Sequence, residues 1–140
     1  RGAMVKDEKK VTEVEIRVRY EETDPMGYLH HSNYFTYFEI GRTELLRQQG
    51  LSYRDIELRG QFIVVAKIQC KFSRPARYDD LLTLRTSLTR VTRARIEHHY
   101  ELFCDDILLA ESDSTLACVD RKGQIQPVPE EFSRMFEVDG

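Results

Sequence analysis

One segment of this chain has both the length and the spacing of a long helix, and most of the chain beyond it alternates as β-sheet does. From about Asn33 to Gln49, the residues Tyr34, Phe35, Tyr37, Phe38, Gly41, Leu45 and Leu46 fall on one broad apolar stripe. Gly50 then ends the run, as a residue free to turn left-handed does at a helix end. At roughly 1.5 Å of rise per residue the helix is about 24 Å long. A lone helix cannot bury such a stripe, so a sheet must cover it. Gly41 costs stability in mid-helix, and we expect it to let another backbone come close.

The sheet is read from alternation. Val14, Ile16, Val18 and Tyr20 share one face of a strand from Val11 to Tyr20, with Glu13, Glu15, Arg17 and Arg19 on the other. A polar turn or short helix covers Ser52 to Arg59. Phe62 to Phe72 is apolar at every even position, with Lys67, Gln69 and Lys71 facing out. Leu82, Leu84 and Leu88 line up in the next run, then Ile96, His98, Tyr100, Leu102 and Cys104, then Ala110, Ser112, Ser114, Leu116 and Cys118. Asp105-Asp106 fits a tight hairpin turn, and Pro127 and Pro129 precede a short helix from Glu130 to Phe136. The expected fold is α+β: one antiparallel sheet of five or six strands wrapped around one long central helix.

The 140 residues suit a single domain. Arg1-Gly2-Ala3 ahead of Met4 reads as a scar of recombinant expression, leaving residues 4–140 as the domain. With 41% apolar and 32% charged residues the chain reads as soluble and globular. No run approaches the roughly 20 apolar residues of a membrane span, and no charged-then-apolar leader is read, so neither membrane insertion nor secretion is expected. Cys70, Cys104 and Cys118 are odd in number and widely spaced, which fits free thiols in a reducing cytoplasm. A net charge of −3 gives no reason to expect nucleic acid as a partner.

Chemistry concentrates in residues 23–42. Asp24 sits in a turn broken by Pro25 and Gly27, and a cap at Ser32 or Asn33 opens the helix. Free N–H groups at a helix start can hold a carbonyl oxygen while a nearby carboxylate attacks or activates water. Hydrolysis of an acyl compound is the leading idea.

Tyr20-Glu21-Glu22-Thr23-Asp24, Gly27 and His31-Ser32-Asn33-Tyr34, continued by Phe38-Glu39 and Arg42-Thr43-Glu44, resemble the hot-dog-fold acyl-CoA thioesterases. The similarity is greatest to the branch of 4-hydroxybenzoyl-CoA thioesterase and the Tol-Pal-associated, YbgC-like enzymes. Phe72 to Asp80, Val119-Asp120-Arg121, Gly123 and Pro127-Val128-Pro129 extend it over nearly all of residues 12–136. The resemblance implies hydrolysis of acyl-CoA to free acid and coenzyme A, no metal or redox cofactor, and a homodimer joined sheet edge to sheet edge, often a homotetramer, with sites at the subunit boundary. It implies Asp24 as the catalytic carboxylate and the His31 N–H as the carbonyl-polarising donor. His30 departs from the aromatic residue common in relatives, and Pro25-Met26 departs from small residues. Tyr28, Leu29, His30, Phe62 and Val64 are candidates for lining the acyl site, so the acyl group is left open.

Each candidate has a second reading. Asp before Pro often only caps local amides. As a catalyst, Asp24 is a nucleophile or a general base. The His31 imidazole is an alternative to its N–H, and Tyr34 and Asn33 fit helix-start structure, with Asn33 bracing the Asp24 loop. Glu39, two turns beyond His31, is the runner-up carboxylate, set against a buried pair with Arg42. His98 and His99 point to opposite strand faces, which disfavours a shared metal, and His98 is expected in the core with a hydrogen-bond partner. Arg90, Arg93 and Arg95 are solvated turn charges or ligands for coenzyme A phosphates, a role Arg74 and Arg77 fit less strongly. An enzyme acting on acyl carrier protein thioesters and a non-catalytic acyl-binding protein remain alternatives.

Overall fold

The computed structural model of the chain describes residues 10–137, so the scar at residues 1–3 and the domain start at Met4 lie outside the described residues. Strand β1 (Val11–Arg17) is followed by a 3-10 turn at Tyr20–Glu22 and the long helix α1 (His31–Gln48). A short helix α2 (Tyr53–Leu58) leads to β2 (Phe62–Phe72), β3 (Leu81–Val91), β4 (Ile96–Cys104) and β5 (Ile107–Val119). The two-residue strand β6 (Ile125–Gln126) and helix α3 (Glu130–Glu137) complete the described chain. The strands form one antiparallel sheet in the order β1-β3-β4-β5-β2, with β6 beside β5.

Register carries the alternation from strand to strand. One transverse row runs Val14, Leu84, Leu102, Ala110, Phe72, and faces the helix. The adjacent row runs Glu13, Arg85, Glu101, Glu111, Lys71, and faces outward. Helix α1 lies across β1, β3 and β4 with Tyr34, Tyr37, Phe38, Gly41, Leu45 and Leu46 buried, which is the predicted stripe except that Phe35 is only partly buried. Phe38 stacks on Tyr100 at 4.7 Å between ring centres. The close approach at Gly41 is made by side chains of β3, not by a backbone: a Cβ there would lie 2.1 Å from Thr86 Oγ1 and 2.8 Å from Leu84 Cδ2. Asp105 and Asp106 both adopt positive φ (50° and 67°), the tight hairpin expected of them.

Three sequence readings are corrected. Strand β1 stops at Arg17, and Tyr20 is 77% exposed, because the Glu22 carboxylate takes the Arg19 amide at 2.9 Å and turns the chain over. The cap of α1 is His30, not Ser32 or Asn33: the His30 ring accepts from the Ser32 amide, while Asn33 turns its Nδ2 to the Glu22 carbonyl. In β2 a bulge between Val65 and Lys67 leaves Ala66 as the extra residue. Ile63 and Val65 therefore pair with the inward Cys118 and Leu116, and Phe62 and Val64 are carried to the other face. Beyond the bulge Ile68, Cys70 and Phe72 face in as predicted, with Lys67, Gln69 and Lys71 out. As an edge strand β2 keeps Val64 (41%) and Val65 (46%) exposed.

Candidate active site

The turn after the 3-10 segment is built on Asp24. Its Oδ1 accepts from the amides of Met26 (2.9 Å) and Tyr28 (3.1 Å), its own amide donates to the Tyr28 carbonyl, and Gly27 closes the turn at φ 82°. The local capping role is therefore real, but it uses one carboxylate oxygen. Among the described residues no donor reaches Oδ2. A bridge from Thr23 to Leu29 closes the turn on itself, and one from Tyr28 to Arg77 fastens it to the β2–β3 loop.

Helix α1 begins against this turn. His30 is extended (φ −67°, ψ 139°); its ring takes the Ser32 amide and its carbonyl takes the Asn33 amide. The His31 N–H is left without an acceptor among the described residues, at the positive end of an 18-residue helix.

Glu22 joins the two pieces. Its carbonyl accepts from the His30 amide (2.9 Å) and from Asn33 Nδ2 (2.9 Å), so Asn33 braces the Asp24 loop as expected. Its buried carboxylate accepts from the Tyr37 hydroxyl, the Arg19 amide and the Arg19 guanidinium. Burial pushes this carboxyl up, but the three hydrogen bonds outweigh it and hold Glu22 below the usual carboxylate range. Burial, then the Glu22 contact, raises the Tyr37 phenol and keeps it a donor. Sequence reasoning missed Glu22. The available signal was its position three residues after Arg19, the reach of a local cap.

Asp24, Tyr28 and Leu29 from the turn, His30, His31 and Tyr34 from the helix start, and Phe72 to Pro75 from the end of β2 enclose an open cavity of about 360 Å³. Its walls are aromatic: Tyr34 meets Phe72 edge-on at 4.8 Å, and the His30 and His31 rings stack at 4.2 Å. Arg77 lies over the Tyr28 ring at 4.9 Å. Arg74 lines the cavity directly. Phe62 and Val64 do not, because they lie near the other end of β2 from Phe72.

Other predicted residues stand apart from this cavity. Glu39 shares the face of His31, and that face is the solvent one; the buried pair with Arg42 does not form, since Arg42 points inward to the Tyr100 hydroxyl (3.4 Å). Arg90, Arg93 and Arg95 are exposed at the β3–β4 hairpin, one full strand from the site. At about 3.3 Å per residue, the length of β3 puts roughly 33 Å between its two ends. One chain therefore does not bring these arginines to Asp24.

His98 is in the core at 2% exposure, but its Nδ1 lacks the expected partner, and burial first, then Arg42, lowers its pKa to about 3. His99 faces the opposite side and meets Asp113 at 2.8 Å. His99, Glu101 and Glu111 could offer ligand atoms to a metal, all within 4.8 Å of one another, on the outer face of the sheet away from α1. There Glu101 is already shared with Arg85 (3.8 Å).

An open carboxylate oxygen and a free helix-start amide thus share one cavity, on a sheet that wraps a long helix. The model of the thioesterase-like superfamily matches residues 18–136. The chain belongs to that superfamily. Its relatives include the acyl-CoA thioesterase YbgC of Haemophilus influenzae, 32% identical over 124 residues, covering 86% of this chain and 90% of the relative. The acyl-CoA thioester hydrolase YbgC of Escherichia coli is 31% identical over 106 residues, covering 75% of this chain and 79% of the relative. Among solved structures, the DHNA-CoA thioesterase of Staphylococcus aureus superposes with a TM-score of 0.84 at 25% identity, covering 91% of this chain and 89% of that one. The thioesterase-like chain is a thioester hydrolase with the hot-dog fold, the sheet being the bun and α1 the filling. Among the described residues, no helix of this thioesterase is long and apolar enough to cross a membrane.

Proposed function

We propose that the protein hydrolyses an acyl- or aryl-CoA thioester to the free acid and coenzyme A, with Asp24 and the His31 N–H at the reacting carbonyl. The observation that carries this reading is the shared cavity: Asp24 is held by Oδ1 with Oδ2 open, and the His31 amide is the open donor beside it. The carbonyl oxygen gains negative charge as the carbon is attacked, and an N–H at a helix start stabilises that charge. In one route Oδ2 attacks the carbon, the C–S bond breaks, the thiolate leaves, and water hydrolyses the resulting mixed anhydride. In the other Asp24 takes a proton from water, which attacks directly. Both routes release one acid and one thiol for each water consumed, and neither draws on a metal or redox cofactor. Three free thiols fit a reducing, cytoplasmic setting.

The proposed working form is a dimer joined along β2, an edge strand with Val64 and Val65 exposed. Antiparallel pairing of two β2 strands runs the partner in reverse. The partner's 90–95 hairpin then lies at the same end of the joined sheet as this chain's Asp24, where guanidiniums can meet the phosphates of coenzyme A.

Thiol release from short, long and aryl CoA thioesters, measured for wild type and Asp24→Asn, tests the reading. Turnover that collapses in the variant while fold and CoA affinity persist supports it. Activity that survives the substitution overturns the role of Asp24, and no turnover on any CoA ester overturns the substrate.

A further inference from the structure

The imidazole of His30 occupies a place usually held by Ser, Thr, Asp or Asn, and it titrates where those side chains do not. Its Nδ1 accepts from the Ser32 amide (3.2 Å) and stands 2.9 Å from the Ser32 hydroxyl, so Nδ1 is bare and the proton is on Nε2. The His30 backbone holds the rest of the first turn: its amide donates to the Glu22 carbonyl and its carbonyl accepts from the Asn33 amide. What remains open is the His31 N–H, the donor assigned to the thioester oxygen.

We infer that His30 is a positioning residue whose neutral ring, as the cap of α1, holds the His31 N–H at the reacting carbonyl, and that protonation of this ring releases the cap and lowers turnover. On protonation Nδ1 changes from acceptor to donor and confronts the Ser32 N–H. The new cation also lies at the positive end of the helix and against the His31 ring, stacked at 4.2 Å. The groups around it are Asp24 and Tyr28 from the turn, His31 and Tyr34 from α1, and Arg74 from the β2–β3 loop, all on the same cavity. The Glu22 carboxylate is turned away to Tyr37 and Arg19.

The kinetic arm of the test rests on the thioesterase reading; the spectroscopic arm does not. In NMR spectra of the full chain followed from neutral to acid pH, the Ser32 amide is expected to shift with the midpoint of the His30 ring. It should keep doing so in His31→Gln, which removes the neighbouring imidazole. In His30→Asn combined with His31→Gln, which leaves a cap that does not titrate and no neighbouring imidazole, the Ser32 amide should no longer follow a histidine midpoint. Relative to its own neutral-pH value, the acid fall in kcat of His30→Asn alone should lose one component. His30→Ala should lower neutral-pH kcat towards the value wild type reaches once its ring is protonated, and should show no further acid component from the cap. A Ser32 amide that ignores the His30 ring, or a His30→Asn pH profile that superposes on wild type, overturns the inference. If wild type hydrolyses no thioester, the proposed function fails, and the amide titration alone decides whether His30 is a proton-dependent cap.

Discussion

The Tyr37 hydroxyl donates to Glu22 Oε1 at 2.7 Å, and this bond ties the second turn of α1 to the segment that leads into Asp24. Through the Glu22 carbonyl the same residue also holds His30 and Asn33. Tyr37→Phe removes one of three donors from a buried carboxylate, and we expect a loss of about 1–3 kcal/mol. The pH dependence has a definite sign. Glu22 sits below its ordinary value of 4.5 in the folded chain, so its contribution is present above that value and is lost as pH falls through the lower folded one. With Tyr37→Phe the folded value rises towards 4.5, so the window between the folded and unfolded values narrows and the variant should lose less stability than wild type on acidification. Urea melts of both proteins across the acid range check the size and the shift.

Asp24→Asn separates the two roles of that side chain. Asn can still accept the Met26 and Tyr28 amides through its carbonyl, so the turn should survive and the melting temperature should change little. It can neither attack a carbonyl as a carboxylate nor take a proton from water. We expect kcat to fall by about 10²–10⁴-fold with KM nearly unchanged. An Asp24→Asn protein that melts far below wild type would place the main role of the residue in the turn.

How far the sequence was legible depends on the physical signals it carries. Strands β3, β4 and β5 were readable because one face of each lies in the core and the other is wetter, which forces alternation. The bulge at Ala66 was not, since Phe62, Ile63, Val64 and Val65 are all apolar and so carry no phase. The cap was misplaced because Ser32 and Asn33 are better intrinsic caps than histidine; tertiary contact with Glu22 drew Asn33 away and left His30 the task. A carboxylate-bearing Pro/Gly turn close to a helix start was readable at Asp24, whereas His31 as the donor came only from the family resemblance. The separation of Arg90, Arg93 and Arg95 from that pair came only from strand direction, which no local pattern encodes.

Gly41→Ala sets propensity against packing. Alanine is the better helix former by about 1 kcal/mol, yet its methyl would lie 2.1 Å from Thr86 Oγ1 and 2.8 Å from Leu84 Cδ2 in a fully buried seam. Thr86 and Leu84 are both 0% exposed, so neither can swing into solvent. Overpacking should win, giving a net loss of about 1–3 kcal/mol by denaturant unfolding. A stabilised Gly41→Ala would mean that α1 lifts from β3 at little cost.

His98 gives the chain a second acid-sensitive term. The folded value is about 3, far below the ordinary 6.5. Between those values the unfolded chain binds a proton that the folded chain does not, so stability falls as pH drops below 6.5, by at most about 1.4 kcal/mol per pH unit. His98→Leu removes the titrating group and the unpartnered Nδ1 together. Between about pH 6.5 and 4, its unfolding free energy should decline less steeply than that of wild type. Equal slopes would mean that His98 is protonated in the folded core.

The arginine hairpin offers a test of the dimer that does not depend on seeing it. Arg90→Ala, Arg93→Ala and Arg95→Ala combined in one chain should raise KM for a CoA thioester, while kcat is little altered, because guanidiniums on the nucleotide phosphates hold the substrate away from its reacting carbonyl. Mixing this triple variant with Asp24→Asn and allowing subunits to exchange distinguishes the two placements. If the hairpin serves the partner's site, the mixed dimer contains one complete site: Asp24 from the triple variant and arginines from the Asp24→Asn chain. Random reassortment makes half the dimers mixed, so about a quarter of wild-type sites should return with wild-type KM. If the hairpin served its own chain, no mixed site would hold both an intact Asp24 and intact arginines, and KM would stay high. Steady-state kinetics on the mixture before and after exchange reads the difference directly.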